Sequence, residues 1–341
     1  SAICSPDGKY IFSGAEDGIA IHWNFLTGDV IKIFQEDPEE LYLFKKQRYD
    51  NEWDQDIDSV QLGENISEVS VSSNGKYGLY GINFPSLVSK IKLCNLLNRE
   101  IEKEFTFNKC NVYSIISYGN EKYAFFSCEE ENTIKLLDLI NEEIVYEFRG
   151  HSGKIISLAS SQDGKYLLSG SNDNTLRLWD LSTGETKIIL SGHKSQINSV
   201  DISRDGKFAL SGSADQTIRL WDIFNNKTIA IFGNNGQVQS VAFSPDGKYA
   251  LAGFNNREDD SNLKLLDLTV LDSYEALCNC SSDEKQINKL TFNNVIDSSL
   301  LKKTSNDISV KEHSTKINGK QIIKILAWLY TISLLMYYMC K

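Results

Sequence analysis

Several kinds of chemistry are missing from this chain. It contains no GxxxxGK[ST] loop, no GxGxxG after a strand and no HExxH pair. The phosphate cradles and zinc ligands of the common nucleotide- and metal-dependent enzymes are therefore absent. Histidine is scarce, at four residues in 341. The seven cysteines (4, 94, 110, 128, 278, 280 and 340) include no CxxC pair. An odd, scattered set fits reduced thiols in a cytosolic protein. Cys278-Asn279-Cys280 lacks a second pair at zinc spacing, so neither a metal nor a cofactor is expected. Positive charge is in deficit: 35 Lys and Arg against 46 Asp and Glu give a net charge of -11. That speaks against a nucleic-acid partner, because neutralising phosphates needs cations. No long 3.6-residue periodicity survives the frequent Gly and Asp turns, which excludes a helical fold. No signal-peptide pattern follows Ser1.

What the chain does have is one unit reused. "LSGSNDNTLRLWDLSTG" (168–184) returns 42 residues later as "LSGSADQTIRLWDIFNN" (210–226), and "FSGAEDGIAIHWNFLTG" (12–28) stands near the start. Ser169, Asp173 and Trp179, then Ser211, Asp215 and Trp221, then Ser13, Asp17 and Trp23 all keep offsets of 4 and 6. On this period the chain divides into units at about 1–34, 66–105, 106–148, 150–190, 192–232, 233–275 and 286–325, with an insertion at 35–65. Each unit holds four short β-branched and aromatic runs parted by DG, ND and TG turns, as in "KIISLAS", "KYLLSGS", "TLRLWDL" and "TKIIL". A four-stranded sheet that is apolar on both faces must stack on others to bury itself.

The Gly-His, Ser-Gly-Ser-x-Asp and Trp-Asp signals of the fourth and fifth units resemble those of the WD-repeat family of β-propellers. The resemblance spans about residues 1–325. It implies an all-β, seven-bladed propeller of four-stranded antiparallel blades. It also implies a structural tetrad of His151, Ser169, Asp173 and Trp179, repeated as His193, Ser211, Asp215 and Trp221, in which Trp donates to Ser, Ser to His and His to Asp. A Ser-His-Asp trio also suggests a hydrolase, but it recurs per repeat and the serine proton is already committed. Leu137, Cys94, Leu266 and Lys311 replace Trp in the other units. The first unit keeps Ser13, Asp17 and Trp23, but its His would precede Ser1. Aligning "SAICSPDGKY" on "SVAFSPDGKY" (240–249) starts the chain inside a strand, so a fragment with an N-terminal part missing is expected. The family's cullin-ligase motif places Arg where Ser182 and Phe224 stand, so that reading loses support.

In the family, the His-bearing loop and the Asp-bearing turn share the top rim. The departures from the period (35–65, 82–89 and 255–262) fall at those loop types. Residues 35–65 carry a net charge of -7, and 255–262 a net of -2. Tyr49 and Trp53 sit among acids including Asp54, Asp56 and Asp58. An aromatic anchor in an acidic surround suits a basic peptide or surface. Lys109, Asn172, Lys194, Asn256 and Arg257 are weaker partner-binding candidates, chosen by rim position.

The last segment differs in character. Residues 326–341 form a hydrophobic tail. Counted from Ile322 to Cys340, it is 19 residues long. That is roughly 28 Å as a helix, close to the ~30 Å of a hydrocarbon core. Lys302, Lys303, Lys311, Lys316, Lys320 and Lys324 precede the apolar run 325–340 on what would be the cytosolic side. The expected function is a non-enzymatic, cytoplasmic scaffold that binds partner proteins on its top face, with membrane association through residues 322–340. Two alternatives stand beside it: a regulatory propeller of a larger multidomain protein, and a membrane-tethered trafficking adaptor.

Overall fold

A computed structural model of the chain describes residues 1–15, 18–35, 65–84, 88–119, 122–129, 131–233, 236–255, 263–268 and the backbone of 295–296. All regular structure among them is β-strand, arranged as six four-stranded antiparallel sheets, each a meander in sequence order. The first unit of the chain holds three sheets: β1 (Ala2–Cys4), β2 (Tyr10–Gly14), β3 (Ala20–Asn24) and β4 (Val30–Phe34); β5 (Asn65–Val71), β6 (Tyr77–Phe84), β7 (Val88–Asn95) and β8 (Glu100–Asn108); β9 (Val112–Tyr118), β10 (Tyr123–Cys128), β11 (Thr133–Asp138) and β12 (Glu143–Phe148). The second unit holds the other three: β13 (Ile155–Ser160), β14 (Tyr166–Ser171), β15 (Thr175–Asp180) and β16 (Thr186–Ser191); β17 (Ile197–Ile202), β18 (Phe208–Ser213), β19 (Thr217–Asp222) and β20 (Lys227–Gly233); β21 (Gln237–Phe243), β22 (Tyr249–Asn255), β23 (Leu263–Asp267) and β24 (Val295–Ile296).

Three expectations change. Seven blades were expected; six sheets are present among the described residues. Val295–Ile296, inside the span assigned to a seventh unit, pairs with β23 through Leu265↔Ile296 and Leu266↔Val295 and so completes the sixth sheet. Two paired residues leave no alternating pattern in a sequence, which is why the period misplaces them. Residues 82–89 were expected to widen a turn. Instead β6 and β7 run on as a longer hairpin to Asn83↔Ser89 and Phe84↔Val88. Asn83 holds the extension down: its amide donates to Val112 O at 2.8 Å and accepts from Val112 N at 2.8 Å. The rest of 286–325 and the tail (326–341) lie outside the described residues. Among the described residues no helix is long and apolar enough to cross a membrane.

The local chemistry repeats with the sheets. In "SQDG" the Ser161 hydroxyl donates to Asp163 at 2.7 Å and accepts from Tyr166 N at 3.0 Å, and Gly164 takes a φ of 67°. The same turn recurs at Ser5, Ser203 and Ser244, and with Asn74 as acceptor at Ser72. The pairing of third and fourth strands shifts register at each Trp position, between Leu178 and Trp179 and between Leu220 and Trp221. The shift persists where Cys94 and Leu137 stand instead.

Consecutive sheets within each unit pack face to face. Phe12, Ala20 and Phe34 of the first sheet meet Ile66, Val69 and Tyr80 of the second. Leu168, Leu176 and Leu178 of the fourth meet Ile197, Val200 and Trp221 of the fifth. The approach is close enough to select glycine on the second strand. A Cβ on Gly212 would lie 2.4 Å from Val238 Cγ1 and 3.0 Å from Val241 Cγ1. Each first strand is also a sheet edge, so its outward N–H groups need acceptors. The previous sheet's first strand supplies them from side chains. Ser157 accepts from Val200 N at 3.1 Å, Ser199 from Val241 N at 3.0 Å, Ser70 from Ser117 N at 3.0 Å and Asp201 from Phe243 N at 2.7 Å. Glu68 plays this part toward Ile115. Burial pushes Asp201 up to about 6 and Glu68 up to about 7, against the lowering effect of these N–H bonds.

Two predictions follow from the seams. Gly212→Ala should overpack the fifth and sixth sheets and cost about 1–3 kcal/mol, read as a lower urea midpoint. The carboxyl of Asp201 has a folded pKa above its unfolded value. Its favourable contribution is therefore full below pH ~4 and lost as pH rises through about 6. Asp201→Asn cannot ionise. Relative to the parent it should gain stability between pH 5 and pH 8, on the order of 1 kcal/mol; parallel urea melts at the two pH values check this.

Candidate functional site

The repeat converges on one loop and one turn in the fourth and fifth sheets. The loop before β13 carries His151, and the turn between β14 and β15 carries Asp173. Trp179 lies on β15 and is 1% exposed, and Ser169 lies on β14 with no exposure. Trp179 Nε1 donates to Ser169 Oγ at 2.9 Å. The serine hydrogen is then directed to His151 Nε2 at 2.8 Å, and His151 Nδ1–H to Asp173 Oδ2 at 2.7 Å. The carboxylate also accepts from Ser152 N at 3.0 Å, Thr175 N at 3.0 Å and Thr175 Oγ1 at 2.6 Å. The fifth sheet repeats the chain. Trp221 donates to Ser211 at 2.8 Å, Ser211 meets His193 Nε2 at 2.7 Å and His193 Nδ1 meets Asp215 at 2.8 Å. A buried indole N–H without a partner is costly, and these chains remove that cost while tying a loop to a strand.

The electrostatics follow from the bonding. Burial alone would raise Asp215, but bonds from Thr217, Lys194 N and His193 outweigh it and hold the carboxyl down at about 2. Asp173 is depressed in the same way, with His151 and Thr175 overcoming burial. Burial lowers His193, partly offset by Asp215. The imidazole is thus neutral and the carboxylate charged at pH 7. Ser169 and Ser211 have no exposed surface, so neither hydroxyl can reach a substrate as a nucleophile.

Further contacts stiffen the same rim. Ser171 Oγ donates to Gly153 O at 2.9 Å and Asn172 N to Lys154 O at 2.8 Å. Ser213 Oγ donates to Ser195 O at 3.1 Å, and Ala214 N to Gln196 O at 3.0 Å. Lys194 is exposed, and its backbone N–H is held by Asp215 at 2.9 Å. Asn172 is half-buried, and its Oδ1 is enclosed without a hydrogen-bond partner. Lys109, between β8 and β9, is exposed with a φ of 55°.

The remaining sequence candidates divide. Trp23 donates to Ser13 at 2.8 Å, while Asp17 lies outside the described residues. Tyr49, Trp53, Asp54, Asp56, Asp58, Asn256 and Arg257 also lie outside them. Two features escaped sequence reasoning. Arg177 and Arg219 stack over Trp179 and Trp221, with their guanidinium carbons 5.9 and 5.7 Å from the ring centroids. Gly150 and Gly192 sit against these stacks; a Cβ on Gly150 would lie 2.8 Å from Arg177 Nη1 and 3.3 Å from Trp179 Cη2. The signal was present as Arg two residues before each Trp and Gly before each His. In the third sheet, Ser127 and Glu131 hold the Ser and Asp positions, but Glu131 pairs with Lys135 at 3.2 Å.

Comparison with known families agrees with this geometry. The model of the WD domain, G-beta repeat, matches residues 1–24, 142–180, 184–222 and 226–267. The later matches begin on or just before the fourth strand of one sheet and end on the third strand of the next, so family repeat and sheet are offset by one strand. No curated protein sequence matches the chain.

Trp179→Phe and Trp221→Phe should each leave a buried serine without its indole donor. Each should lower stability by about 1–3 kcal/mol in thermal or urea melts. Unchanged melting of both variants would contradict the role given to these chains.

Proposed function

We propose that the chain, a WD-repeat β-propeller, is a non-enzymatic scaffold that holds partner proteins or peptides on the rim formed by its His-bearing loops and Asp-bearing turns. The observation that carries this reading is the pinning of that rim. In two successive blades the loop backbone is fixed by a buried Trp–Ser–His–Asp chain, while exposed groups such as Lys194 project from it. Preorganised loops on a rigid scaffold bind with little ordering cost. The enclosure of both tetrad serines supports the non-enzymatic part.

We assign the basic-partner preference to the segment 35–65, whose net charge is -7 and which carries Tyr49 and Trp53. Long-range attraction from such a segment accelerates encounter and weakens with salt. Replacing Asp54, Asp56 and Asp58 by Asn in the full chain should reduce capture of basic partners severalfold at low salt and flatten the salt dependence. Quantitative pull-down at several ionic strengths reads both effects, and full retention at every salt concentration rejects the acidic-face assignment.

A further inference from the structure

The first unit carries a second surface of opposite electrostatic character. An open cleft of about 550 Å³ lies between β4 and the start of β8. Lys32, Ile33 and Gln35 line one side, and Arg99, Glu100 and Ile101 the other. Lys9, Lys103 and Lys135 of the same unit have carboxylate partners. Lys32 and Arg99 have none among the described residues. Among the described residues Glu100 is the one lining carboxylate, and it accepts from Asn98 Nδ2 at 3.3 Å. Ile33 and Ile101 are 47% and 41% exposed, a large fraction for aliphatic side chains. β4 and β8 are the terminal strands of their sheets, and no further strand pairs with either among the described residues.

A second feature lies beneath the cleft. His22 is 2% exposed, and neither ring nitrogen has a hydrogen-bond partner. It takes the place that Leu178 and Leu220 occupy in the fourth and fifth sheets. It is the cross-strand neighbour of Lys32, so both side chains leave the same face. On β2 its cross-strand partner is Phe12, and the Tyr10 ring lies 5.0 Å from its own. Burial lowers its pKa first, and the charge of Arg99 lowers it further. Among the described residues, two unpaired cations and a buried, unpartnered imidazole make a locus short of negative charge.

We propose that this cleft docks an extended segment of a partner protein in which an aspartate or glutamate alternates with an aliphatic residue. The carboxylate sits between Lys32 and Arg99, the aliphatic side chain lies against Ile33 on the other face of β4, and the ligand backbone runs along the open edge of β4. The alternation follows from β4 itself: Lys32 and Ile33 face opposite sides, and an added strand keeps that period. The site lies on different strands from the tetrad loops and prefers the opposite charge to the segment 35–65.

The test uses the full chain and a fluorescein-labelled peptide of three Glu-Ile repeats, with a Lys-Ile peptide as control. Anisotropy should show binding of the Glu-Ile peptide that weakens at least tenfold in Lys32→Glu/Arg99→Glu and weakens with salt. Both residues are exposed and have no ion-pair partner among the described residues, so the double variant should melt like the parent. Saturating Glu-Ile peptide should also raise the pKa of His22, read from its imidazole proton shifts, because a bound carboxylate offsets Arg99. The proposal is overturned if the double variant binds the Glu-Ile peptide as tightly as the parent. It is overturned equally if the Lys-Ile peptide competes, if no binding occurs, or if the His22 titration does not move.

Discussion

The buried sheet edge is the constraint on which the rest of the structure depends. Stacking four-stranded meanders face to face buries apolar side chains, but it also presses the first strand of one sheet against the next. That strand has N–H groups on its outward side that no strand pairs. Buried and unmet, each would cost on the order of 1–3 kcal/mol. Ser157, Ser199, Ser70, Asp201 and Glu68 meet them from the neighbouring first strand. The acceptor must be short and must point sideways from a strand, which is why serine and carboxylate recur there. Where the acceptor is a carboxyl, the site inherits a proton, and seam stability becomes linked to pH near neutrality.

The tetrad obeys the same rule for a side chain. A large ring fills the gap beside the register shift of the third and fourth strands, and in filling it buries an indole N–H. Satisfying that one donor recruits Ser, His and Asp in turn, ending at an ionised carboxylate that three or more further donors stabilise. The loop is rigid because a buried proton donor required a partner. Gly150 belongs to the same arrangement, since Arg177 and Trp179 occupy the space its side chain would need.

Much of this was legible in the sequence, and the limits are physical. The 42-residue period, the S-x-D-G turns and the Ser–Asp–Trp spacing are strong signals because each rests on a contact local in sequence. The position of β24 was not legible. Its two residues pair with β23 after residues 268–294 intervene, and two residues are too short a run to show an alternating pattern in the sequence. The longer hairpin at 82–89 was read as loop because the pairing that keeps it in strand is Asn83 to Val112, a contact between sheets. The seam acceptors were visible as serines at a fixed place before each turn, but their partners lie about one repeat away. The cleft beside Lys32 had no sequence signal, because it joins strands separated by the insertion.

The uneven survival of the tetrad shows which part of the design is dispensable. Cys94, Leu137 and Leu266 occupy the Trp position, and all three are buried. The slot is therefore kept apolar even where the polar chain is gone: once the indole is absent, no donor there remains to be satisfied, and in the third sheet Ser127 accepts from Ser114 N instead. The second sheet spends that freedom differently. Lys90 and Lys92, both nearly buried, share Glu104 at 2.8 and 3.1 Å. Burial would raise Glu104, but the two lysines outweigh it and hold the carboxyl below its usual range. Apolar stacking, with seam bonds between the second and third, fourth and fifth, and fifth and sixth sheets, thus holds these blades, whereas polar networks are local choices that decide which loops are rigid. Blades with the full network present a fixed rim, and Lys32 and Arg99, which have no ion-pair partner among the described residues, lie outside those blades.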